Sequence, residues 1–185
     1  MLNGNIRVER LSAEHKADFY RVHGCENNTG WCFCAAWRVP SWDGWGERTG
    51  VENRIVRERL FEQGIYDGYL LYVKDEPVGW CQAGLRDVYP KLLKTYSLSP
   101  DPSIWAVTCF LLVPRLRGKG LANLMLTKIL NDLRRRGAKK VQVFPHCGKD
   151  LSNEDVWTGP EMIFVKAGFT VVKADEKRPV LELTL

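Results

Sequence analysis

The run Ile104–Leu112 is apolar at nearly every position, and Pro114 follows almost at once. A strand this apolar needs cover on both faces, so the chain must place packed layers on either side of a sheet. After the proline come Arg115, Arg117, Gly118, Lys119 and Gly120. Ala122, Met125, Leu126, Ile129, Leu130 and Leu133 then recur at helical spacing. A buried strand, a basic glycine turn and an amphipathic helix therefore follow one another without a break. A helix start leaves several N–H groups unpaired, and the helix dipole adds partial positive charge there. Phosphate is the usual anion at such a place. Gly118 and Gly120 let a ligand approach the backbone closely. A turn that needs glycine only for its geometry is the alternative. Neither a Gly-x-Gly-x-x-Gly nor a Gly-x-x-x-x-Gly-Lys-Ser/Thr stretch is present, which excludes the two commonest nucleotide-binding loops.

The remaining elements alternate in type. Residues 6–11 read as a strand and Ser12 as the cap of a helix to about Val22. A long loop rich in Trp, Cys, Gly and Asn covers 24–50, and a helix covers 51–63, stopped by Gly64. Residues 66–73 and 78–85 form a hairpin, and 86–103, with three prolines, are irregular. The glycine turn opens a helix over about 118–136. A strand at 141–144, a helix at 161–167 and closing strands at 169–172 and 180–185 complete a mixed α/β pattern.

Two stretches carry a family resemblance. Arg117-Gly118-Lys119-Gly120-Leu121-Ala122 resembles the Arg/Gln-x-x-Gly-x-Gly/Ala acyl-CoA pyrophosphate loop of the GNAT (Gcn5-related) N-acetyltransferases. Phe164-Val165-Lys166-Ala167-Gly168-Phe169 resembles that family's late helix, which ends in Gly-Phe with an aromatic four residues before the glycine. The resemblance covers about residues 66–185.

It implies a mixed α/β fold with a twisted, mostly antiparallel sheet, splayed at the cofactor site and flanked by helices. A single domain over 1–185 would divide into an acceptor-side segment at about 12–64, an acyl-CoA-binding core at about 66–172 and closing strands at 169–185. Acetyl-CoA would be the acyl donor. The acceptor would be a primary amine of a small molecule or peptide, attacking directly in a ternary complex. Backbone groups of Phe110, Leu111 and Leu112 would pair the pantetheine arm like an added strand. Backbone amides of Gly118, Lys119, Gly120, Leu121, Ala122 and Asn123 would hold the pyrophosphate, with Arg117 bracing the loop or reaching phosphate.

Acyl transfer to an amine also needs a carbonyl polarised, an ammonium deprotonated and a departing thiolate reprotonated. Here the chain departs from the family. Phe164 stands where a tyrosine commonly protonates the thiolate, and no glutamate lies near Phe144. His146 is a candidate base, since its ordinary pKa suits the task, or a loop histidine. Cys109 either donates a proton or packs as a small apolar residue. If neither serves, the chain is a non-catalytic acyl-CoA-binding regulator.

The segment from His23 to Trp37 is the most unusual. His23, Cys25, Cys32 and Cys34 offer zinc-ligand chemistry, and a Cys/His metal-binding module is a further alternative to the transferase, but Cys-x-x-Cys spacing is missing and no metal is expected. Trp31, Trp37, Trp42 and Trp45 could receive a cationic amine on their ring faces, with Glu26 and Asp43 supplying negative charge. Plain packing of a long loop is the other reading.

A formal charge of +5 suits an anionic cofactor. The densest basic run, Arg134–Arg136, ends a helix where cations complement the dipole, and no nucleic-acid motif accompanies it. No apolar run reaches membrane-spanning length, and the N-terminus lacks an apolar signal region. A cytoplasmic protein with reduced thiols is expected, without nucleic-acid or membrane partners, with a homodimer through swapped C-terminal strands as one possible assembly.

Overall fold

Strand β4 (Ile104–Leu112) is central, as its apolar sequence requires. The computed structural model describes residues 5–24, 30–152 and 154–185. Seven strands form one sheet: β1 (Ile6–Arg10), β2 (Gly68–Val73), β3 (Glu76–Leu85), β4, β5 (Lys140–Val143), β6 (Thr170–Lys173) and β7 (Val180–Thr184). Their spatial order is β1-β2-β3-β4-β5-β7-β6. Only β4 and β5 run parallel; every other neighbouring pair is antiparallel. The parallel pair arises because α4 (Leu121–Arg135) connects the two strands as a crossover helix.

One face of the sheet is covered by α4 and α5 (Glu161–Lys166). Met125, Leu126, Ile129, Leu133 and Phe164 pack there on Val107, Phe110 and Val141. The other face carries α1 (Lys16–Gly24), α2 (Gly50–Glu62), α3 (Pro90–Thr95) and the turns at 30–39. Phe19, Phe61, Trp80 and Cys109 form one cluster there, and Trp37, Tyr89, Tyr96 and Phe144 another.

Helix α2 starts where the sequence supplies a reciprocal cap. The Glu52 amide donates to Thr49 Oγ1 at 3.2 Å, and the Thr49 amide donates to the Glu52 carboxylate at 2.7 Å. Ser12 does not cap α1 as expected. Its side chain bonds His15 Nδ1 at 2.9 Å, and a 3-10 turn at Ala13–His15 precedes the helix. Residues 86–103, expected to be irregular, contain α3, whose first residue is Pro90, a position where the missing N–H costs nothing.

Arg57 on α2 is fully buried and holds the turns at 30–39 in place. It donates to the Phe33 carbonyl at 3.1 Å and the Cys34 carbonyl at 3.0 Å. Both residues have positive φ, 43° and 46°, which costs non-glycine residues energy and needs such support. Asp67 neutralises the guanidinium at 2.7 Å and also accepts from Arg38, Gln82 and Tyr89.

Candidate active site

The sheet forks in its middle. Pairing between β4 and β5 runs from Ile104↔Lys140 to Val107↔Val143 and stops. Thr108 to Leu112 continue on one arm, still paired to β3, while the chain beyond Val143 leaves on the other. The β3–β4 register shifts at this point: Ala83 faces Val107 and Gln82 faces Cys109, so Thr108 is the extra residue of a bulge. Bulges re-aim the groups beside them. The Trp37 indole N–H donates to the Thr108 carbonyl at 3.3 Å, and the Phe110 amide donates to the Trp157 carbonyl at 2.8 Å.

The glycine turn stands at the open end of the fork. Gly118 and Gly120 have φ of +72° and +78°, and a Cβ at either position would meet open space. Glycine is therefore required for backbone conformation, and the space before the turn is left clear. These two conformations also explain why α4 begins at Leu121 instead of the expected 118. Gly120 caps α4 with no side chain, and the first helical amide bond runs from Leu124 to its carbonyl. The amides of Leu121, Ala122 and Asn123 consequently have no acceptor within the helix. Arg117 Nε donates to the Leu112 carbonyl at 3.0 Å, tying the turn to the end of β4, while Lys119 is exposed.

A forked sheet with an anion-ready helix start at its mouth matches one family description. Residues 31–155, well over half of the chain, match the Acetyltransferase (GNAT) family. The chain belongs to the GNAT acetyltransferase family. The AAC(6')-Ib structure in complex with ribostamycin and coenzyme A is 16% identical and covers 97% of this chain and 93% of its own, with a TM-score of 0.63. The PaiA N-acetyltransferase of Thermoplasma acidophilum in complex with coenzyme A is 14% identical, covers 98% and 99%, and has a TM-score of 0.58. A GNAT family acetyltransferase of Brucella melitensis in complex with acetyl-CoA is 10% identical, covers 99% and 90%, and has a TM-score of 0.54. No curated protein matches the chain. The mixed, mostly antiparallel and unclosed sheet is that of a GNAT fold.

Within this GNAT fold, Phe164 is a core ring. It is fully buried, 6.0 Å from the Phe110 ring and 5.7 Å from Phe169, and it has no proton to give. His146 lies three residues past β5, half-buried, with Nδ1 3.3 Å from the Asp155 carbonyl. The tautomer that donates through Nδ1 leaves Nε2 as an acceptor. Cys109 is buried on β4, and its Sγ lies 2.8 Å from Cys34 Sγ. The Cys34 contact lowers the Cys109 pKa, but burial and the neighbouring thiols outweigh it and the net shift is upward. A thiol kept protonated in this way is a poor nucleophile.

Among the described residues no cluster of His, Cys, Asp and Glu is arranged to hold an ion. His23 is buried between Phe19 and Phe33, bonds the Phe19 carbonyl through Nδ1 at 2.9 Å, and burial pushes its pKa down to about 3. Cys25 and Glu26 lie outside the described residues.

The tryptophans do collect, as composition suggested, but the cation over them belongs to the protein. Trp31 stacks toward Trp45 at 5.4 Å, Trp45 meets Trp42 at 6.0 Å, and Trp42 meets Trp37 at 5.1 Å. Lys91 Nζ lies 3.5 Å from the Trp42 centroid and 5.9 Å from Trp37, and it donates to the Ser41 carbonyl. Only 4% of Lys91 is exposed. Trp42 and Trp45 therefore serve an internal cation–π contact. Trp37 instead continues the aromatic wall to the fork, 5.5 Å from Trp157 and 6.2 Å from Tyr96. Sequence reasoning passed over Lys91, Tyr96 and Trp157. None sits in a recognisable motif; only the fold brings Lys91 to the tryptophans and Tyr96 and Trp157 to the fork.

Proposed function

We propose that the protein transfers an acetyl group from acetyl-CoA to a primary amine of a small molecule or peptide, by direct attack while both substrates are bound. The observation that carries this reading is the fork of β4 and β5 opening onto the glycine turn of α4. An extended pantetheine arm needs a strand edge that no other strand occupies, and β4 has no strand partner on its β5 side from Thr108 onward. The donor arm would pair with backbone groups of Phe110, Leu111 and Leu112, taking over the Phe110 amide from the Trp157 carbonyl. A pyrophosphate needs clustered amides and room, which Gly118 through Asn123 supply. Arg117 braces this turn through Leu112, and Lys119 adds charge beside it. The acceptor would enter from the side of the turns at 30–39, past Trp37, with His146 Nε2 taking the proton of the attacking ammonium.

Direct attack is favoured over an acyl-cysteine route because the Cys109 thiol is buried and protonated. A small amine acceptor fits the company of AAC(6')-Ib, whose structure holds ribostamycin. The reading treats residues 1–185 as one acyltransferase domain.

The test is calorimetric titration of the wild type and Gly120→Glu with acetyl-CoA. Glutamate brings a negative charge and a Cβ to a position with φ of +78°. The wild type should bind, and the variant should lose at least tenfold in affinity. A wild type that does not bind acetyl-CoA refutes the reading. Binding without turnover of any amine in a screen would identify an acyl-CoA-binding regulator instead.

A further inference from the structure

Thiols meet on the sheet face opposite α4, apart from the glycine turn and His146. Cys34 is the second of the two positive-φ residues in the turns at 30–39, and Cys109 follows the bulge residue Thr108 on β4. The Cys34 thiol donates to Cys109 Sγ at 2.8 Å, and 75 positions separate the two along the chain. Cys32 neighbours Cys34 and is half-buried. Cys81 packs with the cluster on the other face, under α4.

Both sulfurs are carried on anchored backbone. Arg57 and Gln82 donate to the Cys34 carbonyl at 3.0 Å and 3.3 Å, and the Trp80 indole N–H donates to Cys34 Sγ at 2.8 Å. Cys109 sits in register opposite Gln82, between further β3–β4 pairs on either side. Sulfurs held this close need only about 0.8 Å of further approach to reach a disulfide length of roughly 2.05 Å. The Arg57 charge favours a Cys34 thiolate, and burial opposes it more strongly, so the thiol stays protonated. Its reaction with an outside reagent is therefore slow, whereas a step between two sulfurs already in contact gains from proximity.

We infer that Cys34 and Cys109 are a disulfide-forming pair, oxidised by a two-electron oxidant of the peroxide class, and that the bond staples the turns at 30–39 to β4 beside the fork. With hydrogen peroxide, an S–O bond forms at Cys34 as the O–O bond breaks, giving a sulfenic acid and one water. Cys109 Sγ then forms the S–S bond as that S–O bond breaks. The hydroxide leaves as a second water, taking the Cys109 thiol proton. The two sulfurs together lose two electrons, and the peroxide gains them. The bond would form whether or not the protein transfers acetyl groups. It would also fix the turns that carry Trp37, whose indole bonds the Thr108 carbonyl.

The test starts from reduced wild-type protein, freed of reductant and treated with hydrogen peroxide. The protein is then denatured in an alkylating reagent, digested and mapped by mass spectrometry. One reducible pair of peptides joined through Cys34 and Cys109 is expected, with the other four of the six cysteines alkylated. The thermal midpoint should rise by roughly 5–15 °C, because a bond across that much chain restricts the unfolded state, and should return on reduction. Cys109→Ala, treated alike, should show neither the joined peptides nor the rise.

A wild type with all six cysteines still alkylated overturns the assignment. So does a bond from Cys34 to Cys32 or to any other thiol, or oxidation of either sulfur past the sulfenic acid without a bond. A Cys34–Cys109 bond that leaves the midpoint within 2 °C of the reduced protein overturns the staple. The mapping is made on the wild type, so it decides the matter even where the variant fails to fold.

Discussion

Asp67→Asn should be the most damaging small change around the turns at 30–39. The side chain keeps its shape and loses one charge. In the wild type that charge lies 2.7 Å from Arg57 Nη1 and 2.7 Å from Arg38 Nη2, with Gln82 Nε2 at 2.9 Å and the Tyr89 hydroxyl at 3.1 Å. Arg57 is 0% exposed and stays a cation at any usable pH. Its other two hydrogen bonds go to neutral carbonyls, Phe33 and Cys34, which cannot balance a charge. Leaving a buried guanidinium without its partner costs about 3–5 kcal/mol. For a chain of this size that corresponds to roughly 6–20 °C in Tm.

Urea and thermal melts followed by tryptophan fluorescence would read this loss, and Arg57→Met in the Asp67→Asn background completes a double-mutant cycle. The double variant should cost clearly less than the sum of the single ones. The pH dependence follows as well. Burial pushes the Asp67 carboxyl up, but Arg57 and Arg38 more than reverse this, and its pKa lies below the ordinary carboxylate value. The stability it contributes is therefore complete above the unfolded-state value, about 3.9, and is lost as pH falls through the lower folded one. A loss under 1 kcal/mol, or simple additivity in the cycle, would refute the claim that this pair holds the turns at 30–39.

Lys91 should leave a signature at alkaline pH. Burial lowers its pKa to about 8, so the unfolded chain binds the extra proton between there and the ordinary lysine value near 10.4. Stability should rise with pH across that window in the wild type, and this rise should vanish in Lys91→Met, measured by urea midpoints. Gly159→Ala should destabilise by at least about 2 kcal/mol, since φ is +106° and the new Cβ would lie 2.5 Å from Phe164 Cζ and 2.9 Å from Phe110 Cδ2. A thermal midpoint within 2 °C of wild type would contradict that packing.

Much of the cofactor half was legible in the chain because local rules decide it. The apolar run of β4, the glycines of the turn and the helical spacing from Ala122 to Leu133 each point to one structure without help from distant residues. The fork needed more: the four-pair limit on β4–β5 and the bulge at Thr108 depend on register, which no local pattern encodes. The segment at 24–50 was legible only as composition. Four tryptophans announced an aromatic cluster, but nothing near them in sequence revealed that Lys91, some fifty residues on, would supply the cation.

A sheet normally exposes raw hydrogen-bonding edges only at its margins, where foreign strands can add and seed aggregation. The fork gives this chain a further pair of edges, but in its interior. The blind end is stopped by Trp37, Tyr96 and Phe144, and the β4 side is already engaged by the Trp157 carbonyl. A thin, amide-bearing arm can compete for that engagement, whereas another protein's strand, with side chains on both sides, meets a wall of rings. The same aromatic residues that close the apex of the fork thereby act as a guard on the stickiest part of the molecule.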